Sequence, residues 1–395
     1  MRIASLVLAA VFLSASSAVL AQAQEPQTLT VEGNVFRPAR VDATDARVAQ
    51  LRTPPGFRVT KFAENLGNPR MMAVAPNGNV YVSDREKGSV TLLRDIAPGG
   101  RAGTAVEVAR VPDLHGLAIR DGRLYIAAIR EVYVADIQAD GALGPLATLY
   151  RGLPDAGQHP NRTLRFGPDG RLYLSVGSTC NACDEPNPEN ATLLQLSQDG
   201  SQRRIHARGL RNTIGFDWHP ATNALFGFDH GTDWLGDQQP HEEINELTEG
   251  ADYGWPYVYD KKQINRAIEP PQGQTFEQYA ATTTDPLLLY TAHAAPLGLQ
   301  FYTGTQFPQE YRNDAFVTMR GSWNRAQPVG YNIVRVRFDA QGRPVGAEDF
   351  VGTWLTNGNQ AHFGRLAGIV QHTNGSLLVA DDTNGVIYRI AYTGQ

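Results

Sequence analysis

A surplus of basic residues is missing from this sequence. Its 35 lysines and arginines are outnumbered by 40 aspartates and glutamates, which gives a formal net charge of −5. Because phosphate binding needs a concentrated basic surface, this balance argues against a nucleic-acid partner. Long apolar runs are also missing after the first 20 residues. Since a membrane-spanning helix needs about 20 consecutive apolar residues, the sequence predicts no membrane span.

The N-terminus has the pattern of a secretory signal peptide. Arg2 supplies a positive head, an apolar run follows from Leu6 to Leu20, and VLAQAQ offers small residues at the spacing of a cleavage site. The run is short and rich in serine, which argues against a spanning helix. We therefore predict a signal peptide over residues 1–23, an N-terminal extension over residues 24–50, and a periplasmic or secreted mature protein.

Cysteine is nearly absent, with two residues, Cys180 and Cys183, in the segment GSTCNACDE. No cysteine follows the apolar N-terminal run, so a lipid anchor of the bacterial lipoprotein type has no attachment point. In an oxidising compartment the pair favours a local disulfide. Two alternatives stay open: a zinc site, for which Asp184 and Glu185 are unconvincing further ligands, and a redox pair, which lacks the usual βαβ surroundings.

Tight turns recur through the rest of the chain, which has 39 glycines, 24 prolines and few segments of helical periodicity. An apolar strand, a turn of the Asn-Gly or Asp-Gly kind or its equivalent, and a second apolar strand follow one another in five segments, over residues 71–84, 116–128, 163–177, 214–231 and 368–382. A sixth, looser unit covers residues 298–321. The units are roughly 45 to 85 residues apart, which suits one four-stranded sheet per unit.

Six such units predict an all-β fold, a six-bladed β-propeller with four-stranded antiparallel blades, over residues 51–395. Radial repetition of sheets around a channel protects their edges. We expect the last strand, GVIYRIAY, to pair with FRVTKF at residues 57–62 and close the ring. The first strand of each blade should line the channel. The active site should lie at the channel mouth, where the loops that lead into these strands collect.

Histidine or arginine stands at the beginning of five of these first strands. The polar residues are His115 in the second unit, His159, Asn161 and Arg162 in the third, Arg211 and Asn212 in the fourth, His293 in the fifth, and His362 and Arg365 in the sixth. Each one alone is most simply a donor that stabilises its loop. Together, at one mouth, they predict a site for a polar, anionic ligand. By contrast, His219 and His372 fall in hairpin turns at the opposite end, and we interpret them as structural.

An acidic segment, FDHGTDWLGDQQPHEEINELTEGADYGWPY, covers residues 228–257. Together with backbone carbonyls held open by Gly231 and Gly236, its carboxylates form the oxygen-rich kind of loop that calcium prefers. The carboxylates are those of Asp233, Asp237, Glu242 and Glu243. Their spacing is not that of an EF-hand, and a solvated acidic loop is the alternative.

Six motifs stand in order along the chain: GQHPNRTLRFGPDGRLYLSVGSTCNAC, GLRNTIGFDWHP, DHGTDWLGDQQPHEEINEL, ADYGWPY, VTMRGSWNR and FGRLAGIVQHTNGSLLVADD. Together they resemble the soluble sugar dehydrogenases that use pyrroloquinoline quinone (PQQ), specifically the glucose/sorbosone dehydrogenase group. The resemblance covers nearly the whole mature chain. It implies a six-bladed propeller, PQQ and calcium as cofactors, a small sugar as substrate, and an electron acceptor outside this chain.

The resemblance also implies roles for particular residues. His159 would be the general base, Arg211 would stabilise charge on the quinone, and Asn212 would contact it. Further cofactor contacts are predicted at Arg320, Arg365, His115 and His293. The backbone carbonyls of Gly231 and Thr232 would hold the calcium ion, and the predicted metal ligands also include Asp233 and Glu243. One departure is Ala367, which stands where some relatives have a second arginine.

These residue types suit the oxidation of an aldose at its anomeric carbon. A neutral imidazole can take the hydroxyl proton near neutral pH, while a hydride leaves for the quinone. Guanidinium groups suit the quinone's carboxylates, and a cation makes a quinone carbonyl carbon electrophilic. Two rival hypotheses remain: a calcium-dependent sugar lactonase on the same architecture, and an exported propeller that binds a partner or a glycan without catalysis.

Overall fold

A computed structural model describes residues 30–95, 100–155 and 157–394, so the predicted signal peptide over residues 1–23 lies outside the described residues. Strands dominate, and the described helical segments are α1 (Asp45–Val48), α2 (Phe276–Ala280) and a short 3₁₀ turn at Gln309–Tyr311. The predicted all-β class is therefore confirmed. Within these ranges no helix is long and apolar enough to cross a membrane.

Six four-stranded antiparallel sheets, which we number I to VI, follow one another along the described chain. Two strands come before sheet I in the sequence: β1 (Ala39–Arg40) and β2 (Phe57–Ala63), of which β2 belongs to sheet VI. Sheet I contains β3 (Pro69–Val74), β4 (Val80–Asp84), β5 (Ser89–Asp95) and β6 (Ala102–Arg110). Sheet II contains β7 (Leu114–Arg120), β8 (Arg123–Ala128), β9 (Val132–Asp136) and β10 (Ala147–Tyr150). Sheet III contains β11 (Leu164–Phe166), β12 (Leu172–Val176), β13 (Thr192–Leu196) and β14 (Arg203–Arg208).

The second half of the chain continues this pattern. Sheet IV contains β15 (Gly215–Trp218), β16 (Leu225–Asp229), β17 (Glu242–Glu246) and, after a small hairpin of β18 (Val258–Tyr259) and β19 (Gln263–Ile264), β20 (Leu288–Tyr290). Sheet V contains β21 (Pro296–Phe301), β22 (Ala315–Met319), β23 (Ile333–Phe338) and β24 (Pro344–Val351). The short strands β25 (Leu355–Thr356) and β26 (Ala361–His362) precede sheet VI, which contains β27 (Leu366–Gln371), β28 (Leu377–Asp381), β29 (Val386–Tyr392) and β2.

Tight turns join the first and second strands of sheets I, II, III and VI, as the Asn-Gly and Asp-Gly pairs predict. Gly78, Gly170 and Gly375 stand in these turns with φ angles of +88°, +80° and +86°. Only glycine adopts this left-handed backbone without a steric penalty, so these residues specify the turns locally. Each turn also sets the pairing register of its two strands. In sheet III this register places Leu164 of β11 opposite Leu174 of β12.

Sheet VI joins the two ends of the described chain. Strand β2 pairs antiparallel with β29, and Phe57 lies opposite Tyr392. This is the pairing predicted for FRVTKF and GVIYRIAY. The Phe57 ring also meets Phe307 and Phe350 edge-on, at centroid distances of 4.8 and 5.0 Å. Such aromatic contacts pack the junction of the two ends against sheet V.

The first strands of all six sheets line one central cavity. Its walls come from residues 71–74, 117–119, 163–166, 215–216, 298–299 and 369–370. Glycines allow neighbouring first strands to approach closely. A Cβ atom on Gly298 would lie 2.7 Å from the Ile369 nitrogen, and one on Gly215 would lie 2.6 Å from the Leu297 oxygen. Because both contacts are with backbone atoms, a larger residue would have to displace a strand.

The N-terminal extension packs against loops at the end of the cavity where the first strands begin. Asn34 Nδ2 donates to Asp237 Oδ1 (3.0 Å), and Arg40 Nε donates to Asn384 Oδ1 (3.1 Å). Strand β1 pairs in parallel with β26, which also pairs with β25. The described part of the extension is therefore attached to the loops around sheets IV and VI.

Candidate active site

Polar side chains from six sheets meet at this end of the cavity, which we call the mouth. Each side chain stands at or just before the first strand of its sheet. They are Arg70 in sheet I, His115 in sheet II, His159 in sheet III, Arg211 and Asn212 in sheet IV, His293 in sheet V and Arg365 in sheet VI. The structure thus brings together residues that are up to 295 positions apart in the sequence.

His159 has one ring nitrogen bonded and one open. The Ser178 hydroxyl donates to the Cys180 carbonyl (2.7 Å), so its oxygen accepts from His159 Nδ1 (2.8 Å). The Ser178 carbonyl lies 3.0 Å from the same nitrogen. Nδ1 therefore carries the proton, and Nε2 has no hydrogen-bond partner among the described residues. This tautomer is the one that a general base requires.

The surroundings of His159 keep its imidazole neutral. Burial, together with the nearby Arg211 and His230 side chains, lowers the pKa of His159 from 6.5 to about 3. The hydrogen bond to the Ser178 carbonyl acts in the opposite direction but is outweighed. Without a bound ligand, the side chain is therefore unprotonated at neutral pH.

Arg211 is bonded along one edge of its guanidinium group and open on the other. Nε donates to the Asn181 carbonyl (3.1 Å), and Nη2 donates to Asn181 Oδ1 (2.9 Å) and Asp233 Oδ2 (2.8 Å). In the described part of the chain, Nη1 has no hydrogen-bond partner. Because the side chain is only 4% exposed, its position is constrained, and the Nη1 hydrogens are left for a ligand.

Asn212 and His230 lie on the same side of the mouth. Asp229, the last residue of β16, accepts a hydrogen bond from the Asn212 nitrogen (2.8 Å) and holds this loop in place. Asn212 Nδ2 donates to His230 Nδ1 (3.3 Å), and His230 Nε2 donates to the Pro296 carbonyl. Burial and the nearby arginines lower the pKa of His230 to about 4. The His230 ring is therefore neutral, with its proton on Nε2.

Where sheets I, V and VI meet, two arginines bind one carboxylate and a third arginine lies beside them. Asp382 Oδ2 accepts from Arg70 Nη1 (2.6 Å) and from Arg320 Nη1 (2.5 Å). Arg365 Nη2 donates to the Gly321 carbonyl (2.8 Å), and its Nε donates to the Arg320 carbonyl (3.3 Å). We call Arg70, Arg320 and Arg365 the arginine cluster. Since Asp382 is its one carboxylate partner among the described residues, the cluster carries net positive charge.

A polar cavity of about 720 Å³ opens beside the arginine cluster. Arg320 and Asp382 line it, together with Glu86 of the loop between β4 and β5 and Arg40 of the N-terminal extension. The extension therefore supplies part of the wall beside the cluster.

Two backbone carbonyls between β16 and β17 are open to a ligand. The carbonyl oxygens of Gly231 and Thr232 accept no hydrogen bond from any residue that the structure describes. The segment is fixed from the other side, because Glu242 accepts from the Gly231 nitrogen (2.9 Å) and from the Ala295 nitrogen (2.7 Å). Burial raises the pKa of Glu242 to about 8. Open carbonyl oxygens are among the ligands that calcium prefers.

His115 and His293 are buried, and both ring nitrogens of each are bonded. His115 Nε2 accepts from Arg70 Nε (3.2 Å), and its Nδ1 donates to a backbone carbonyl of the neighbouring loop (3.2 Å). His293 Nε2 donates to the Gly236 carbonyl (2.8 Å), and its Nδ1 accepts from Asn324 Nδ2 (3.2 Å). In this arrangement the two histidines hold neighbouring groups in place.

The carboxylates of Asp233 and Glu243 are also bonded within the protein. Asp233 Oδ2 accepts from Arg211, and its Oδ1 accepts from Asn324 Nδ2 (2.8 Å). Glu243 Oε1 accepts from the Asp260 nitrogen (2.6 Å). The neighbouring residue Glu242, and not Glu243, bonds to Gly231.

Four residues that shape the mouth were not predicted as site residues from the sequence: Arg70, Asn181, His230 and Asp382. For Arg70 a signal existed, because LGNPRMMAVAP places an arginine at the beginning of a first strand, as in the other units. His230 lay inside the quoted acidic segment. Asn181 and Asp382 also lay inside quoted motifs, but their contacts could not be predicted because their partners belong to loops of other sheets.

Cys180 and Cys183 form a disulfide bond, as predicted. Both sulfur atoms are used in this bond, so the zinc interpretation of the pair is excluded.

Comparison with known proteins identifies the family. The family model described as TrAA12-like matches residues 51–393. An uncharacterized protein of Borreliella burgdorferi is 30% identical over 89% of this chain and 93% of its own length. The pyrroloquinoline quinone-dependent pyranose dehydrogenase of Coprinopsis cinerea is 25% identical over 86% of this chain, and the match spans 54% of that enzyme. The calcium structure of a Trichoderma reesei carbohydrate-active enzyme of family AA12 has a TM-score of 0.77 at 20% identity, covering 87% of this chain and 97% of that one.

The all-β fold is thus shared with the Trichoderma reesei structure. This chain belongs to the TrAA12-like family. The resemblance to PQQ-dependent sugar dehydrogenases, which the motifs indicate, is confirmed by these relatives.

Proposed function

We propose that this protein is an exported dehydrogenase that uses PQQ and calcium to oxidise an aldose or a related pyranose sugar. One observation carries the proposal: the unbonded Nε2 of a neutral His159 and the unbonded Nη1 of Arg211 lie at the same mouth. The relative from Coprinopsis cinerea, named as a PQQ-dependent pyranose dehydrogenase, supports the cofactor and the substrate class.

The proposal includes a six-bladed β-propeller over residues 51–395. Six sheets whose first strands line one cavity support it, as does the pairing of β2 with β29 across the two ends of the chain. Residues 1–23 would direct export to the periplasm or the exterior. Residues 24–50 would be an extension of the propeller that helps to shape the mouth.

The arginine cluster fits a polycarboxylate. Its net positive charge favours an anion, and guanidinium groups bind carboxylates through paired hydrogen bonds. Arg320 and Arg365 would hold carboxylates of the quinone. Ala367 is fully buried in β27 and offers no charge, but a Cβ atom on the adjacent Gly368 would lie 2.7 Å from the Arg70 oxygen. Arg70 therefore lies beside this strand and would supply the guanidinium that position 367 lacks.

The donor set between β16 and β17 fits calcium. The open carbonyls of Gly231 and Thr232 would be its protein ligands. Asp233 would serve mainly to hold Arg211, since both of its carboxylate oxygens already have donors. When bound, the quinone with its calcium ion supplies an electrophilic carbon that accepts a hydride.

His159 would accept the hydroxyl proton of the sugar at Nε2, while Ser178 keeps the ring oriented through Nδ1. Arg211 Nη1 would stabilise the negative charge that grows on the acceptor oxygen during hydride transfer. A bound polycarboxylate would also offset the positive field of the arginines. The pKa of His159 would then rise towards the working pH, which makes the ring a better base. The electrons would leave to an acceptor outside this chain.

Reconstitution tests this proposal. The purified protein is titrated with PQQ and calcium chloride, and aldose-dependent reduction of an artificial dye is measured. We expect dye reduction only when both cofactors are present, with a chelator as the control. Hydrolysis of a sugar lactone without the quinone would instead support a calcium-dependent lactonase. Glycan binding without turnover in either assay would support a binding module.

A further inference from the structure

The loop closed by the Cys180–Cys183 disulfide connects groups at the mouth that different sheets supply. It follows β12 of sheet III, and Ser178 at its beginning bonds to His159 of the same sheet. The Ser178 nitrogen also donates to the Arg211 carbonyl of sheet IV (2.8 Å). The disulfide itself closes a ring of four residues around Asn181.

Asn181 contacts Arg211 with its main chain and its side chain, and it contacts Asp233 with its side chain. Its carbonyl accepts from Arg211 Nε (3.1 Å), and its Oδ1 accepts from Arg211 Nη2 (2.9 Å) and from the Asp233 nitrogen (2.8 Å). Its Nδ2 donates to the Asp233 carbonyl (3.0 Å). These bonds fix the guanidinium from the edge opposite to Nη1, the nitrogen left open at the mouth.

The loop is supported from outside as well. Glu185 accepts from the Thr179 nitrogen (2.6 Å) and hydroxyl (2.8 Å), which fixes the chain just before Cys180. Trp255 of the ADYGWPY motif donates from Nε1 to the Asn181 carbonyl (3.1 Å). The ADYGWPY motif, which has no role in the proposed chemistry, therefore contacts the GSTCNACDE loop at Asn181.

We propose that Asn181 is a positioning residue for Arg211, and that the Cys180–Cys183 disulfide holds Asn181 in the conformation that this role requires. This inference rests on the proposed function, in which Arg211 Nη1 meets the quinone. A guanidinium that is free to rotate would lose the defined direction of Nη1, and a site tolerates little loss of geometry. A disulfide over so short a loop removes alternative conformations of Asn181.

The inference is tested by measuring the affinity of the metal-loaded protein for PQQ. The quenching of intrinsic tryptophan fluorescence is followed while PQQ is added. Asn181→Ala should weaken quinone binding roughly tenfold, because the side-chain bonds to Arg211 and Asp233 are lost. Its kcat should fall as well, while KM for the sugar should change little, since Asn181 does not bind the sugar. The matched control is Asn374→Ala. Asn374 accepts from Ser376 in a tight turn at the opposite end of the cavity, so this variant should lower the melting temperature and leave quinone affinity unchanged.

A double-mutant cycle separates positioning from general weakening of the fold. If Asn181 acts through Arg211, Asn181→Ala should have no further effect on quinone affinity in an Arg211→Ala background. The positioning role would be overturned if Asn181→Ala lowered quinone affinity equally in the wild-type and Arg211→Ala backgrounds. It would also be overturned if Asn181→Ala lowered quinone affinity in neither background while Arg211→Ala itself bound the quinone weakly. Wild-type affinity in Arg211→Ala itself would instead contradict the proposed function.

The disulfide is tested separately with the paired variant Cys180→Ser/Cys183→Ser. We expect weaker quinone binding in the same direction as for Asn181→Ala, with far-ultraviolet circular dichroism confirming that the sheets are retained. Unchanged quinone affinity in the folded paired variant would remove the disulfide from the inference.

Discussion

The two ends of the central cavity contain the same residue type in different surroundings. At the mouth, His159 has an open Nε2. At the opposite end, His219 and His372 lie in the tight turns between first and second strands. His219 Nδ1 accepts from the Thr222 nitrogen (3.3 Å), and His372 Nε2 donates to the Gly78 carbonyl (3.1 Å). These contacts agree with the structural interpretation of both turn histidines.

The difference follows from the kind of backbone that each end contains. In a hairpin turn the histidine ring is enclosed by its own turn and by the neighbouring sheet, and the His219 ring packs 5.3 Å from the rings of Phe301 and Phe338 of sheet V. Loops that lead into the first strands run between sheets and bring distant residues together. A nitrogen without a local partner, such as His159 Nε2, can therefore arise at the mouth, where a ligand can meet it.

Removing the His159 imidazole should have the largest effect. His159→Ala should lower kcat by about 10² to 10⁴ and leave PQQ binding intact, because the general base is lost while the arginines stay. Steady-state kinetics of the reconstituted enzyme measure this. The matched control, His219→Ala, should reduce thermal stability without a comparable loss of kcat. Equal kcat values for His159→Ala and His219→Ala would contradict the assignment of a catalytic role to the mouth histidine alone.

Removing one member of the arginine cluster should weaken the binding of the cofactor. Arg365→Ala should raise the Kd for PQQ by about one to two orders of magnitude, since a hydrogen bond to a charged group contributes about 1.5–3 kcal/mol. Isothermal titration calorimetry measures the change. Arg335→Ala is the control: Arg335 Nε donates to Asp314 Oδ2 (2.6 Å) in sheet V, away from the mouth, so its loss should affect stability alone. A PQQ affinity equal to wild type in Arg365→Ala would contradict the assignment of the cluster.

The pKa of His159 can be measured in the apo-protein, and it tests whether this mouth histidine is buried and neutral as described. In the apo-protein the pKa of His159 is lowered to about 3, so we expect the ring to be neutral at pH 5. Arg211→Gln removes a positive neighbour and should raise this pKa, as NMR of the ring protons would show. Between pH 6.5 and 3 the unfolded chain binds a proton that folded His159 does not, so His159 lowers stability as pH falls through this window. A His159 pKa near 6.5 in the wild-type apo-protein would contradict the burial argument.

The smallest effect is expected at the far end of the cavity. His372→Ala removes the bonds to Gly78 and Asn374 and should lower the free energy of unfolding by about 1 kcal/mol. Chemical denaturation measures this difference. The kcat and the PQQ affinity should stay at wild-type values, and a drop in either would show that the turn is coupled to the mouth.

Much of the fold was predictable because its signals are local. Each predicted hairpin segment corresponds to a first and second strand, as for residues 71–84 with β3 and β4 and for 368–382 with β27 and β28. Alternating apolar residues and Asn-Gly or Asp-Gly turns act over a few residues, so they can be read without the rest of the chain. The pairing of β2 with β29 was also predictable, since the last unit otherwise had three strands where the predicted blades have four.

The site was predictable only in part. Equivalent positions in successive units pointed to His159, Arg211 and Arg365, because repeated sheets place repeated loops at the same end. Their bonding was not predictable. That His115 is bonded at both ring nitrogens, while His159 is bonded at one, depends on which loop of a neighbouring sheet lies beside each ring.

By itself, the sequence determined the strands, the turns between them, the cysteine pair and the polar residues that stand before the first strands. These features depend on side-chain alternation, backbone preference and short spacing, which act within a segment. Only the tertiary structure decided that Arg70 and Arg320 share Asp382, that Asn181 holds Arg211, and that the N-terminal extension lies beside the mouth. Each of these contacts joins groups from different sheets or distant segments. Hydrogen bonds and charges act over a few ångströms in space, whatever the distance along the chain.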